Sequence, residues 1–381
     1  MKTPPCLITM SASVMLAGLI TISNAAQITP VATATTNLLL LANQGAAANE
    51  TIDNSTTVHF IPASGSEAAT GVALATGITS DSNNPVVNAG TVKATATTLV
   101  TRTNPLVVTL VALEKGTNTT TATANATGIA SSSETNRITS SGTVAATATA
   151  KIDPFKINLS LADATSADAR LSANALATGI TGGLGQNYLT NHGSIAANAS
   201  ATVESTDITV TLLNAVTADT SLNANANAIG IAGGPGENFI HNSGDISASG
   251  TATAQTVGVT VSLATVAKGR ANLAANADAT GIAGGAAREE ISNAGKITAI
   301  ANSAANRIGV SATLYDLSAV QEFFDDTTEN ETFARASAIG IDGAAGNDWL
   351  ANLNQLSASA TSKVFAVSVS VGSVGVPELS D

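Results

Sequence analysis

The chain has 381 residues with a formal net charge of −12, 44% hydrophobic residues, 11% charged residues and only 3% aromatic ones. So few aromatics exclude a globular core built on large side chains, because such cores draw much of their buried area from them. The acidic balance excludes a surface for phosphate backbones or anionic lipids, which needs clustered Lys and Arg, so no nucleic acid is expected among the partners.

Residues 1–25 read as an export signal. Lys2 supplies a positive start, Ile8 to Ile22 an apolar run, and Ser23-Asn24-Ala25 a small-residue cleavage site before Ala26. The run is short for a bilayer span and no second one follows, so the mature chain is expected to have no transmembrane span. Cys6, the single cysteine, lies inside this segment, which leaves the exported chain without a disulfide or a Cys metal ligand. Residues 26–67 form an N-terminal segment or cap.

From residue 68 to 376 the chain repeats. Gly77-Ile78, Gly128-Ile129, Gly179-Ile180, Gly230-Ile231 and Gly281-Ile282 recur every 51 residues, and Gly340-Ile341 follows after 59. Constant length with varied side chains is the mark of equal units stacked against one another. Before each anchor runs an alternating strand whose every second residue is small, as in Ala173, Ala175, Ala177 and Ala224, Ala226, Ala228. After it comes a Gly-rich turn, where glycine is expected to supply positive-φ conformations, and then an aliphatic column through Val87, Ile138, Leu189, Ile240, Ile291 and Leu350.

Two residues on, Asn88, Asn191, Asn242, Asn293 and Asn352 form a column, with Ser140 as its exception, and their amides are expected to pair along the stack. A second strand alternates aliphatic and small residues, and a third carries larger ones. Ile157, Ile208 and Val259 are expected to point inward against a wall of Ala175, Ala226 and Ala277. Period two dominates and no helical stripe appears.

The expected fold is all-β, an elongated parallel β-solenoid of six repeats, because matching columns gain most when stacked; an antiparallel meander or sandwich is the alternative. Small side chains favour two coils of about 25 residues per repeat, which makes a rod near 60 Å long at roughly 4.8 Å per coil. Residues 377–381 form a short tail.

The turns after the anchors resemble the Gly-Gly-x-Gly-x-Asp-x-aliphatic calcium repeat of bacterial RTX proteins. Gly182-Gly183-Leu184-Gly185-Gln186-Asn187-Tyr188-Leu189 and Gly233-Gly234-Pro235-Gly236-Glu237-Asn238-Phe239-Ile240 place Asn where that motif has Asp, and Gly343-Ala344-Ala345-Gly346-Asn347-Asp348-Trp349-Leu350 keeps the Asp. The resemblance implies weak calcium binding at Asp342, Asn347 and Asp348 if anywhere, since Asn is a poorer ligand than carboxylate and intact copies are not adjacent. The wider unit looks like exported bacterial β-strand-repeat proteins and autotransporter-type passenger stalks, which implies an exported, extracellular or cell-surface protein, with the periplasm as the other destination.

No catalytic constellation stands out. His59, His192 and His241 form no HExxH, and no nucleophile elbow or phosphate loop is present. Asp168, Asp219 and Arg270 share an offset and read as a solvated rim. Two binding candidates remain. One is the excess in the last repeat between Leu314 and Ala334, which contains Phe323, Phe324, Asp325 and Asp326. The other is a hydroxyl face through Thr95, Thr97, Thr147, Thr149, Ser200, Thr202, Thr251 and Thr253. The expected function is noncatalytic: an adhesin, stalk or matrix component with no cofactor, whose partners are surface glycans, matrix or other cell-surface proteins. The alternatives are a carbohydrate-active solenoid enzyme, marked by stacked carboxylates in a groove, and an ice-binding protein, marked by an uninterrupted Thr face.

Overall fold

The computed structural model describes residues 9–15, 31–39, 46–48, 51–61, 68–80, 85–109, 116–132, 135–160, 167–211, 216–262, 267–313 and 331–372. Together they form a parallel β-solenoid of three sheets with eight, seven and seven strands. Each coil runs through a long leading strand, a short corner strand and a long trailing strand, as in Ala167–Thr181, Gln186–Asn191 and Ser194–Thr211. Every strand pairs in parallel with its equivalent one coil on, so that Ala175 lies beside both Ala124 and Ala226. Seven coils result. The first is built by Val31–Leu39, Ala46–Ala48 and Thr51–Phe60, ahead of the six anchored repeats. A further strand, Thr9–Met15, lies within the segment read as an export signal and pairs with Thr51–Phe60.

Each repeat makes one coil, not the two expected. The expected difficulty, a lumen too wide for Ala, does not arise because the coil is flattened. Its leading and trailing sheets lie face to face, and Ala173, Ala175 and Ala177 meet Ala197, Ala199 and Ala201 in one buried cluster. The gap is narrow enough for a short side chain to cross it. Ser303 Oγ on a trailing strand donates to the Ala275 carbonyl on the leading strand at 2.6 Å, and Thr98 Oγ1 reaches the Thr123 carbonyl at the same distance. At about 4.8 Å per coil the seven coils rise about 30 Å, whereas an 18-residue strand runs nearly 60 Å at about 3.3 Å per residue. The stack is therefore broader than it is tall.

At the corner the Ala slab gives way to an aliphatic wedge. Each of the five coils between the first and the last contributes three residues, for example Ile180, Leu189 and Ile195, all buried in a second cluster. The anchor glycine is needed here for space, not for φ. A Cβ on Gly230 would lie 2.3 Å from Ile246 Cγ2 and 2.5 Å from the Gly281 carbonyl oxygen. Positive φ occurs among the described glycines only at Gly234 and Gly346, so most of the Gly-rich turn is likewise explained by close approach to a neighbouring coil or to the Asn side chain of its own turn.

The expected third strand is the continuation of the second. Ser194–Thr211 is one strand, and its inward run of Ile195, Ala197, Ala199, Ala201, Val203 and Ser205 is buried. Ile208 lies three residues after Ser205 and Val259 three after Thr256, an odd offset that strand alternation places on the other face, and both are only partly buried, which corrects the expectation that they point inward. On the opposing leading strands Leu171, Leu222 and Leu273 are buried, and the preceding described positions Ala169 and Thr220 are partly buried. The side chain of Ile157 lies outside the described residues. Ala175, Ala226 and Ala277 are buried as expected, at 3%, 2% and 0% exposure.

Ala226→Leu should destabilise the protein by about 1–3 kcal/mol through overpacking. Asn227→Leu, one residue along on the outer face, should be nearly neutral, because Leu176 already occupies the equivalent place one coil earlier. Urea unfolding of the two variants checks the assignment of faces, and equal losses would contradict it.

Candidate functional site

The turn resembling a calcium motif is built around side chains that point into the corner. Asn187 Nδ2 lies 2.8 Å from the Gly185 carbonyl, 3.0 Å from the Gly233 carbonyl and 2.7 Å from Asn238 Oδ1, while its own Oδ1 accepts from Asn136 and from the Gly183 amide. The column continues through Asn238, whose Nδ2 donates to Glu289 Oε1 at 3.0 Å, and ends with Asp348, whose Oδ1 accepts the Glu289 backbone N–H at 3.0 Å. All of Asn136, Asn187, Asn238 and Glu289 are buried. An amide both donates and accepts, so it can close a turn and pass a hydrogen bond to the next coil, which a carboxylate cannot do.

The expected ladder, through Asn88 to Asn352, is present beside this one. Asn191 donates to Asn242 at 2.7 Å, Asn242 to Asn293 at 2.6 Å and Asn293 to Asn352 at 2.7 Å. Asn88 opens this column by donating to Ser140 Oγ at 3.0 Å, so the exception in the pattern is a working partner.

Of the residues tied to calcium, Asp348 belongs to the first ladder, Asp342 Oδ1 accepts the Ala344 N–H at 2.9 Å, and Asn347 is exposed. Calcium takes six to eight oxygens. Two carboxylates that each already accept a backbone N–H fall short of that donor set, and among the described residues no group of three or more His, Cys, Asp or Glu is placed to hold a metal ion. Phe323, Phe324, Asp325 and Asp326 lie outside the described residues. Asp219 and Arg270 are paired in register on adjacent leading strands.

The outer faces carry the remaining candidates. On the trailing sheet, Thr97, Thr149, Ser200, Thr251, Asn302 and Thr361 lie in one register column. The neighbouring column is Thr95, Thr147, Asn198, Ser249 and Ile300, so the expected Thr face is a mixed polar face interrupted by an aliphatic residue.

On the leading sheet a shallow furrow lies between two columns and is lined by Asn125, Asn174, Leu176, Asn225, Asn227, Asn276 and Asp278. Asn276 Nδ2 donates to Asn225 Oδ1 at 2.9 Å, and Asn225 Nδ2 donates to Asn174 Oδ1 at 2.8 Å. These bonds use one N–H and one lone pair of Asn225, and the amide has one further N–H and one further lone pair to offer. Sequence reasoning missed this furrow, although Asn174, Asn225 and Asn276 recur at the repeat interval between the Ala residues of the wall.

It also missed a stripe along the outer face of the corner sheet. Arg137 lies 5.6 Å over the Tyr188 ring, which stacks on Phe239 at 4.9 Å between centroids and 10° between planes. The signal was the residue that follows the Asn of each turn. The ring faces of Tyr188 are taken up by its neighbours, so the stripe braces successive coils rather than offering stacking platforms.

Asn187→Leu should cost at least about 3 kcal/mol, since it orphans several buried backbone groups at once. A loss below about 1 kcal/mol in denaturant unfolding would mean that the ladder is dispensable.

Glu289 yields a pH prediction. It is fully buried, and Oε2 has no hydrogen-bond partner. Burial pushes its carboxyl above the ordinary 4.5; the hydrogen bonds from Asn238 and Gly285 oppose the rise, and the charges of Asp348 and Glu237 add to it. The folded state therefore holds this proton more tightly than the unfolded chain. The associated stability is fully present below pH 4.5 and is lost as pH rises through the elevated folded value. Glu289→Gln supplies an N–H in place of the unpartnered oxygen and should raise stability at neutral pH by about 1–3 kcal/mol while flattening that slope. Unfolding curves across the acidic-to-neutral range would show it, and an unchanged slope would contradict it.

No family model, no curated protein and no solved structure matches the chain.

Proposed function

We propose that the protein is a noncatalytic exported repeat protein of the cell surface or extracellular matrix that holds glycans along a broad side face. The observation that carries this reading is the Asn-lined furrow on the leading sheet, where Asn174, Asn225 and Asn276 recur once per coil. Uncharged donors and acceptors repeated about every 4.8 Å present the same partners to successive units of a polymer, and carboxamides match sugar hydroxyls in both hydrogen-bonding senses. An acidic, largely uncharged surface suits a solvated polysaccharide better than an anionic one.

Shape favours an adhesive or matrix role over that of a long stalk, because one coil per repeat halves the reach that two would give. Export rests on the N-terminal sequence: Lys2, the apolar run and the small residues before Ala26. Cleavage there would remove Thr9–Met15 from the trailing sheet and leave Thr51–Phe60 as its edge.

Binding of the purified mature protein to a panel of neutral and acidic polysaccharides tests the reading. Wild type should bind at least one neutral glycan, and Asn225→Leu with Asn276→Leu should weaken it about tenfold or more, by about 1.4 kcal/mol, without loss of fold. Binding by the variant equal to wild type would remove the furrow from the account. Release of shortened or unsaturated sugars would favour the enzyme, and thermal hysteresis in ice would favour the ice-binding alternative.

A further inference from the structure

The last coil, Thr332–Ala344, Trp349–Asn352 and Leu356–Gly372, forms the open edge of all three sheets. Leu350 and Leu356 continue columns that are buried in every inner anchored coil, yet they are 48% and 40% exposed here. Exposure of this kind follows from being last. The outward positions, however, have changed identity too. Phe365 stands in the column of Glu204, Gln255 and Asn306. Trp349 follows Glu290, and Phe333 follows Asn223 and Ala274. Leu353 takes the place held by His192, Ser243 and Ala294, as its N–H bonded to the Asn293 carbonyl shows.

Terminal units of a repeat array ordinarily become more polar, because they face water on one more side. This one becomes more apolar at several independent positions, around strand edges whose backbone groups are free to pair. At Phe365, Phe333 and Leu353 the change is particular to this coil, since the inner coils carry polar or small residues in those columns, whereas Trp349 extends a column that already holds Tyr188 and Phe239.

We propose that the C-terminal coil is an interface and that its occupant is the same coil of a second copy of this chain. Only another coil offers three strand edges at matching spacing together with an aliphatic wedge at the corner. Coil-on-coil packing is already the interface that holds this protein together, and the dimer extends it by one layer. With Thr9–Met15 removed by cleavage, as the proposed export entails, the opposite end of the trailing sheet is Thr51–Phe60, which presents Asp53, Ser55, Thr57 and His59, a polar run that does not match the apolar end. Apolar end on apolar end about a two-fold axis is therefore favoured over head-to-tail addition, and it closes after two copies.

The test uses the full chain and a variant whose replacements are residues the inner coils carry at the same places: Phe365→Asn, Trp349→Glu and Leu353→Ser. Sedimentation equilibrium at micromolar concentration should give twice the chain mass for wild type, and the variant should dissociate at least about tenfold more readily with an unchanged circular dichroism spectrum. Hydrogen exchange on wild type gives a second reading that needs no variant. Amides of Leu356–Gly372 should lose protection on dilution while those of Ser194–Thr211 keep theirs. A monomeric wild type, an open series of polymers, or a variant as dimeric as wild type would each overturn the proposal. So would concentration-independent protection of the last coil, which would mean that the chain covers its own end.

Discussion

The separation of successive coils governs the rest of this structure. A parallel ladder brings each residue to within a strand spacing of its equivalents above and below, and every column then has to be compatible with itself. Ala meets that requirement across the slab, branched aliphatics meet it in the corner wedge, and glycine is forced wherever one backbone passes directly over another. Gly142, Gly193, Gly244 and Gly295 illustrate the last case, since a Cβ on any of them would fall 1.9 Å from a carbonyl oxygen of the preceding coil. The low content of large side chains is a consequence of this geometry. A thin core supplies less apolar burial per residue than a conventional one, and the backbone ladders and buried amides take a correspondingly larger share of the stabilisation.

The two amide ladders do for the corner what the sheets do for the strands. A tight turn leaves carbonyls and N–H groups without partners, and an Asn side chain can satisfy both kinds while linking to the next Asn. The chemistry of the ladder also sets where it can stop. Glu289 and Asp348 accept but do not pass a hydrogen bond onward as carboxylates, so the column changes character in the last two coils. A position that resembles a calcium ligand in sequence thus has a structural occupation in the fold.

Much of the architecture was legible because the repeat interval fixes the columns. The parallel solenoid, the Ala wall and the Asn88-to-Asn352 ladder follow from equal spacing and period two. The number of coils per repeat did not follow, because nothing in a column tells how flat the coil is; Ala faces suit a coil of about 25 residues, yet here they line a wide flat one. The inward placement of Ile208 and Val259 failed because the second and third apolar runs are one continuous strand, in which both residues are out of phase with the buried positions that end at Ser205 and Thr256. The furrow was harder still. Its residues are ordinary Asn side chains on an outer face, and their significance comes from a concavity that only the coordinates display. Tyr188 and Phe239 were quoted as part of a turn motif, but their stacking needed the register of the corner strands.

The large departures from equal repeat length fall at one place, while single-residue adjustments occur elsewhere, as where Val86 lies opposite Ile138 and a bulge in the trailing strands restores the register. Leading strands keep register across the step from Leu273 to Thr332, a displacement of 59 residues, just as corner strands do from Glu290 to Trp349. The additional residues therefore enter between the end of one trailing strand, at Thr313, and the start of the next leading strand, at Thr332. The first step is shorter, with Thr51 opposite Thr91, and it too leaves the ladders parallel. Large changes of sequence length are thereby confined to a single seam along the slab, whereas the corner, locked by stacked amides, admits only a single residue. Foreign segments inserted at that seam would emerge in a line along one edge, spaced by the coil rise and independent of the binding faces.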